Sequence, residues 1–328
     1  MGNYYIYNVD VVVVAQIMNI TKNKMKVAFF SESIMMGVPP RDFDNARTEI
    51  AWSVALGAPF LTFNASPTTH FDLGIAIVPK NNPSIVDINR LKLFCDKVAI
   101  MQEGPHWYFQ DYPVDVQFNY VNLLLQSDWV YCHNESDVNY FLGLGCKDVR
   151  VMRSLMIPEN LPPRSEWGDN TMIGGNFVSW YGGFDSYIVA REIGDPISCP
   201  SMGRRQQSED MIPDIKYLPY MTWREWIDEL SQYNIGVHLM RTHAAGTFSM
   251  NCAYHGIPCI GYKGLDTQDI LHPLTSVEIG DLDEAKRIGK KLKKSKKFYD
   301  LCSETSRKNF KSYYTEEAWL ENWKETNK

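Results

Sequence analysis

No Cys-x-x-Cys pair occurs in this 328-residue chain; its seven cysteines, Cys95, Cys132, Cys146, Cys199, Cys252, Cys259 and Cys302, are an odd and scattered set. A zinc ribbon and a dithiol redox motif are thereby excluded, and the thiols are expected to be reduced core residues. His-x-x-x-His and His-Glu-x-x-His pairs are missing, as is a phosphate-binding P-loop, so no metal site is expected. No stretch approaches the roughly 18 consecutive apolar residues that read as a membrane span. The early run Val11-Val12-Val13-Val14-Ala15 is short, follows Asp10, and has neither a basic leader nor a small-residue cleavage site. A cytoplasmic protein is expected. Excess positive charge is absent too: the formal net charge is −6, which disfavours non-specific binding to a phosphate backbone.

Hydrophobic residues make up 45% of the chain and charged ones 22%, a globular composition. The length fits two α/β domains of about 150 residues each. Apolar runs predict buried parallel strands over 25–32, 59–64, 73–78, 98–101, 129–133 and 149–152, with helical spacing over 45–56, 116–126 and 137–144. In the second of these helices Phe118, Val121, Leu124 and Leu125 are expected to share the buried face. Prolines and charges interrupt the pattern over 157–168, where the linker is placed. Alternation then resumes, with strands over 172–177, 215–218, 235–240 and 258–261 and helices over 187–193, 222–231 and 249–255. The segment holding Pro200, Gly203, Arg204 and Arg205 reads as a loop. One basic helix is expected over 281–297, its lysines forming a solvated face, and a last helix over 315–324 sets Trp319 and Trp323 on one surface.

The fold class implied is α/β, with two Rossmann-like domains built on mostly parallel sheets. Residues 1–24 are expected to form an extension, 25–160 the first domain, 161–310 the second, and 311–328 a closing helix near the junction.

The chemistry concentrates in 234–261. It reads as a buried strand, a loop with Arg241, His243 and Gly246, a helix opening at Thr247-Phe248-Ser249, and a Gly256-Ile257-Pro258 turn into another strand. The start of a helix carries unpaired N–H groups and partial positive charge, which suit a diphosphate. Gly246 permits close backbone approach, and Arg241 offers a fork of donors.

This segment resembles the donor-binding signature of GT-B glycosyltransferases, both the retaining kind and the compact phage-encoded kind. The resemblance implies that Gly246, Thr247, Phe248 and Ser249 hold the donor phosphates. It implies that Tyr217 and Pro219, in Tyr217-Leu218-Pro219-Tyr220, frame the nucleotide base. Retaining members often carry two glutamates eight apart; here those positions are His243 and Asn251, the first expected near the sugar or a phosphate and the second near the ribose. Arg204 and Arg205 are expected to stand in for the usual basic pair. The segment Gly182-Gly183-Phe184-Asp185, after Trp180-Tyr181, is expected to close over the donor, Gly182 and Gly183 at its head.

Acceptor activation needs a base in the first domain, beyond the carboxyl end of a strand. The loop 102–107 offers Glu103 and His106, with Asp111 nearby, and Glu32 stands in a second such loop. His133 is expected to be a packed or hydrogen-bonded histidine. The implied reaction transfers a sugar from a nucleotide-sugar, a UDP-sugar in the first instance, and needs no cofactor beyond that co-substrate. The acceptor is either a glycan, lipid or protein hydroxyl or a hydroxymethylated base flipped from phage DNA, which would place the protein in the host cytoplasm. A DNA acceptor requires Arg41, Arg47, Lys80, Arg90 and the lysine helix to converge on the cleft. A nucleotide-sugar 2-epimerase of the same fold and a non-catalytic two-lobed binding protein are the alternatives.

Overall fold

The computed structural model describes residues 25–32, 36–43, 47–102, 111–164, 166–175, 177, 180–194, 196–200 and 207–328. Two six-stranded sheets, parallel throughout, carry the fold. The first contains β1 (Val27–Ser31), β2 (Phe60–Thr62), β3 (Phe71–Ala76), β4 (Cys95–Met101), β5 (Trp129–Cys132) and β6 (Val149–Val151), in the order β2-β1-β3-β4-β5-β6. The second contains β7 (Thr171–Ile173), β8 (Ile197–Pro200), β9 (Ile215–Leu218), β10 (Ile235–His238), β11 (Cys259–Tyr262) and β12 (Ser276–Val277), in the order β12-β11-β10-β7-β8-β9. Every residue of β1, β10 and β11 is buried, as expected of parallel strands covered on both faces.

Each sheet is a separate sandwich. In the first, α1 (Thr48–Leu56) packs on one face, while α2 (Ile88–Leu91), α3 (Val114–Gln126) and α4 (Val138–Gly143) cover the other. In the second, α5 (Gly183–Ile193) and α9 (Leu282–Lys294) lie on one face, and α6 (Trp223–Leu230) and α7 (Thr247–His255) on the other. The chain leaves β7 in one direction through the sheet and β10 in the other, so the strand order reverses between these two neighbours. Helices that follow them lie on opposite faces, and in such sheets the carboxyl end at this reversal is the usual place for a ligand crevice.

After α8 (Asp266–Asp269) and α10 (Lys296–Tyr313), the final helix α11 (Glu316–Thr326) returns to the first sheet. Trp319 lies 5.4 Å from Trp52 and stacks on Trp323 at 5.6 Å, and Trp323 meets Tyr131 at 5.8 Å. The indole N–H groups of Trp52 and Trp319 both donate to Arg153 O, at 3.1 and 2.9 Å. The apolar body of each ring is thus buried while its polar atom keeps a partner.

Four local expectations need correction. The buried face of α3 is Tyr120, Leu123 and Leu124, while Phe118 is 65% exposed, because a tyrosine completes the stronger apolar stripe. The segment ending at Pro200 is a buried strand rather than a loop. Helix α5 opens at Gly183, one turn earlier than the apolar spacing predicts, since its first turn holds glycine and aspartate. The basic segment is not one helix: Ser295 ends α9 and accepts from Phe298 N to cap α10.

Candidate active site at the domain junction

The crevice of the second sheet is framed by two helix starts. Gly182 precedes α5 and Gly246 precedes α7; both are left-handed, with φ of 63°, and neither helix has a side-chain cap. Their first-turn N–H groups therefore lack partners inside the helix, and the first internal bonds are those from Ser186 N to Gly182 O and from Met250 N to Gly246 O. Glycine is required at both positions. A Cβ at Gly182 would lie 2.1 Å from Leu239 O, and one at Gly246 would lie 1.9 Å from Thr267 Oγ1.

Side chains stitch the two loops together. Ser186 Oγ accepts from Leu239 N at 2.9 Å, and Thr242 Oγ1 donates to Trp180 O at 2.8 Å. Arg241 Nη2 donates to Asp185 Oδ2 at 2.9 Å, and Tyr262 OH donates to the same oxygen at 3.0 Å. That bond to Asp185 raises the pKa of Arg241, and burial pushes the Tyr262 hydroxyl up to about 12.

The first domain supplies the opposite wall through the segment after β5. Asp137, wholly buried, accepts from His243 Nδ1 at 2.9 Å. Ser136 Oγ donates to Gly264 O at 2.9 Å and stands 3.1 Å from the same imidazole nitrogen, which places the ring proton on Nδ1. Asn134 Nδ2 donates to Asp137 Oδ2 and to Ala244 O, both at 3.0 Å, and its Oδ1 accepts from Asp266 N at 3.0 Å. The hydrogen bond to Asp137 raises the pKa of His243, whereas burial raises that of the Asp266 carboxyl to about 6. Perturbed groups of opposite kind facing one crevice are the pattern expected at a reactive site.

The residues singled out in the sequence fall into three sets. Gly182, Gly183, Arg241, His243, Gly246 and the exposed Thr247 gather at the crevice. Phe248, Ser249 and Asn251 share α7 with buried side chains. Phe248 packs on His238 and Trp226, and Ser249 Oγ donates to Gly246 O at 3.1 Å and lies 3.0 Å from the Thr267 hydroxyl. In the amide orientation that satisfies both of its partners, Asn251 donates to Thr247 O at 3.1 Å and accepts from Trp226 Nε1 at 3.0 Å. Tyr217 and Pro219 sit at the β9 edge, where Tyr217 OH donates to Glu209 O at 3.0 Å and Pro219 is exposed. Asp111 is exposed just before α3, and Glu103, His106, Arg204 and Arg205, like the 1–24 extension, lie outside the described residues.

His133 is buried with Nδ1 3.1 Å from Met152 O and Nε2 3.1 Å from Gln102 O, a hydrogen-bonded core histidine. Of the two Asp-x-Asp pairs in the sequence, Asp42/Asp44 has Asp44 outside the described residues, while Asp281 caps α9 and Asp283 pairs with Lys286. Sequence reasoning did not single out Asn134, Asp137, Ser154 or Asp266, and it took Asp185 only as part of the Gly182-Gly183-Phe184-Asp185 segment. Asn134 and Asp137 follow the strand end that drew attention to His133, so the same rule pointed to them.

No protein-family model matches the chain, and no curated protein matches it in sequence. Solved structures do match in shape. HepE of Anabaena, in complex with UDP, is 12% identical with a TM-score of 0.67, over 92% of this chain and 99% of that one. An alpha-glucosyltransferase in complex with UDP-glucose and DNA containing an abasic site is 11% identical with a TM-score of 0.61, over 94% and 100%. S. aureus TarM, also in complex with UDP, is 11% identical with a TM-score of 0.61 over 78% of this chain, which spans only 55% of TarM. The chain has the GT-B fold.

No helix among the described residues is long and apolar enough to cross a membrane.

Proposed function

We propose that this protein is a glycosyltransferase that moves a sugar from a UDP-type nucleotide-sugar to an acceptor hydroxyl. The observation that carries the reading is the pair of helix starts at Gly182 and Gly246, both without side-chain caps, on either side of the strand-order reversal between β7 and β10. A diphosphate leaving group needs its growing negative charge neutralised as the anomeric bond breaks. The backbone N–H groups of Gly183, Phe184 and Asp185 and of Thr247, Phe248 and Ser249, with the Arg241 guanidinium between them, supply that neutralisation. The acceptor oxygen forms the new bond to the anomeric carbon and gives its proton to a first-domain base, for which Asp111, Glu103 and His106 are the candidates.

The reading uses no metal, because helix ends and cationic side chains take the role a divalent ion has in other sugar transferases. Activity that survives EDTA is the corresponding expectation. Among acceptors, a glycan, lipid or protein hydroxyl is favoured over duplex DNA. Arg41 pairs with Glu316 and Glu159, Arg47 with Glu49, Lys290 with Glu192 and Lys293 with Asp169, while Arg90 binds the carbonyls of Asn64 and Ala65. These five basic groups are thus paired with acids or engaged by backbone, which lowers what they would offer a phosphate backbone.

The test is a panel of nucleotide-sugars offered with and without acceptors, hydroxymethylated DNA included, with UDP release and acceptor mass as readouts. Acceptor-dependent UDP release supports transfer. A new sugar nucleotide formed without any acceptor would make the protein an epimerase, and nucleotide binding without turnover would leave only the two-lobed binding protein.

A further inference from the structure

Three first-domain side chains hold the peptide that leads into α7. Asp137 accepts from His243 Nδ1, Asn134 Nδ2 donates to Ala244 O, and Ser154 Oγ donates to Ala245 O. These three consecutive residues end at Gly246, the left-handed turn that aims the N–H groups of α7 at the crevice. The Asp137 carboxylate is wholly buried, and its other oxygen is taken by Asn134. Losing His243 would leave a buried charge short of one partner, so this contact is costly to break.

We propose that Asp137 is a positioning residue for the donor site: acting through His243, it fixes the loop before α7 so that the diphosphate site is complete only while the two domains are in contact. The inference rests on the donor site proposed above. Its physical content is a coupling. A nucleotide that binds the ordered loop favours the joined domains, and the joined domains favour the nucleotide by the same factor.

The groups that face the imidazole fix the sign of its pH response. Asp137 and Ser136 approach from the first domain, and Asp266 and Asp269 act on it from α8. Asp266 in turn faces Glu135 and Arg153, and Asp269 faces Lys263. The carboxylates favour the imidazolium and burial opposes it, with the Asp137 hydrogen bond the largest influence. His243 therefore keeps its charge to higher pH than an ordinary histidine and loses it as pH rises.

The experiment measures UDP binding by calorimetry across the histidine range for the full chain, for Asp137→Asn, for His243→Gln and for the double variant, with the His243 ring titrated by NMR. UDP affinity of the unaltered protein is expected to weaken as His243 deprotonates. In Asp137→Asn the titration moves to lower pH, and affinity near neutral pH falls roughly tenfold. The double variant should bind no more weakly than His243→Gln alone, because Asp137 acts through the imidazole. Equal losses from Asp137→Asn in both backgrounds would mean a general structural role and overturn the proposal, as would an unchanged affinity in the single variant. If Asp137→Asn does not fold, His243→Gln decides: UDP binding that keeps the pH dependence of the unaltered chain overturns it. Failure of the unaltered chain to bind UDP at any pH would instead sink the donor reading itself, whatever the ring titration shows.

Discussion

Arg241 and Asp185 form an ion pair at 2.9 Å that joins the loop after β10 to the first turn of α5, with the arginine side chain 59% and the aspartate 20% exposed. The carboxylate sits in the first turn of α5, where a negative charge is favoured by the helix dipole. It therefore occupies electrostatically the place of the anion that the site is proposed to bind, and holds the guanidinium that would meet it.

This arrangement gives a prediction with opposite signs for the two partners. Arg241→Ala should weaken UDP binding by about tenfold or more, since a charge-assisted hydrogen bond is lost. Asp185→Asn removes the competing anion and should tighten binding several-fold, most visibly at low salt. Calorimetry with UDP at two ionic strengths reads both effects. A loss of affinity in Asp185→Asn comparable to that in Arg241→Ala would show that the carboxylate orients the arginine instead of competing for it.

Gly246 allows a sharper test. A side chain there must adopt φ of 63°, which disfavours a non-glycine residue by roughly 1–2 kcal/mol, and its Cβ would meet Thr267 Oγ1. Gly246→Ala should lower the melting temperature and abolish UDP binding. Adding Thr267→Ala removes the clash but not the backbone strain, so it should recover part of the stability. Full recovery would mean that the left-handed turn contributes nothing.

How much of this was legible beforehand depended on where the physical signal lies. Parallel strands such as β1 and β10 are continuous apolar runs, and they stand out. β8 does not, because Ile197-Ser198-Cys199-Pro200 has few apolar side chains and ends in proline, yet all four residues are buried. The opening of α5 is hidden in the same way: a glycine cap leaves no Ser, Thr or Asp signature. Gly246 and Arg241 were visible from their spacing to the Gly256-Ile257-Pro258 turn. The partners of Asp185 and Asp137 were not, since each aspartate acts through a residue distant in the chain, Arg241 and His243, and only the packing of two loops or two domains brings them together.

Buried histidines give a pH prediction. His272 accepts from Cys259 N at 3.3 Å and donates to Ser249 O at 2.9 Å; His255 accepts from Arg164 N at 3.1 Å and donates to Ile227 O at 2.9 Å. Each ring is held as a neutral tautomer, and a second proton would point one N–H at another. Burial pushes both, and His238, down to about 4. A folded value below the unfolded one of about 6.5 means that stability is intact above that pH and is lost as pH falls toward 4. Each histidine contributes on the order of 3 kcal/mol at most over that window. Asp266, raised to about 6, and Asp269 and His243, also raised, change in the opposite sense, but the three histidines at about 4, with His133 lowered alongside them, outweigh these groups. Melting temperature should therefore fall steeply between about pH 6.5 and 4, and less steeply in His272→Gln. A flat profile across that range would contradict the assignment of neutral, buried rings.

The last helix should matter more than its terminal position suggests. Trp319 is 1% exposed, packs on Trp52 and Trp323, and donates its indole N–H to Arg153 O at 2.9 Å. Arg153 leads out of β6 toward the linker, and its neighbour Ser154 donates to Ala245 O before Gly246. Trp319→Ala should destabilise the protein by roughly 3–5 kcal/mol through the cavity and the lost contacts. Trp319→Phe retains much of the ring but leaves Arg153 O one donor short, so its loss should be nearer 1 kcal/mol. Denaturant melts of the two variants separate packing from hydrogen bonding, and equal losses would mean that the Arg153 contact, not the ring, anchors α11 to the first sheet.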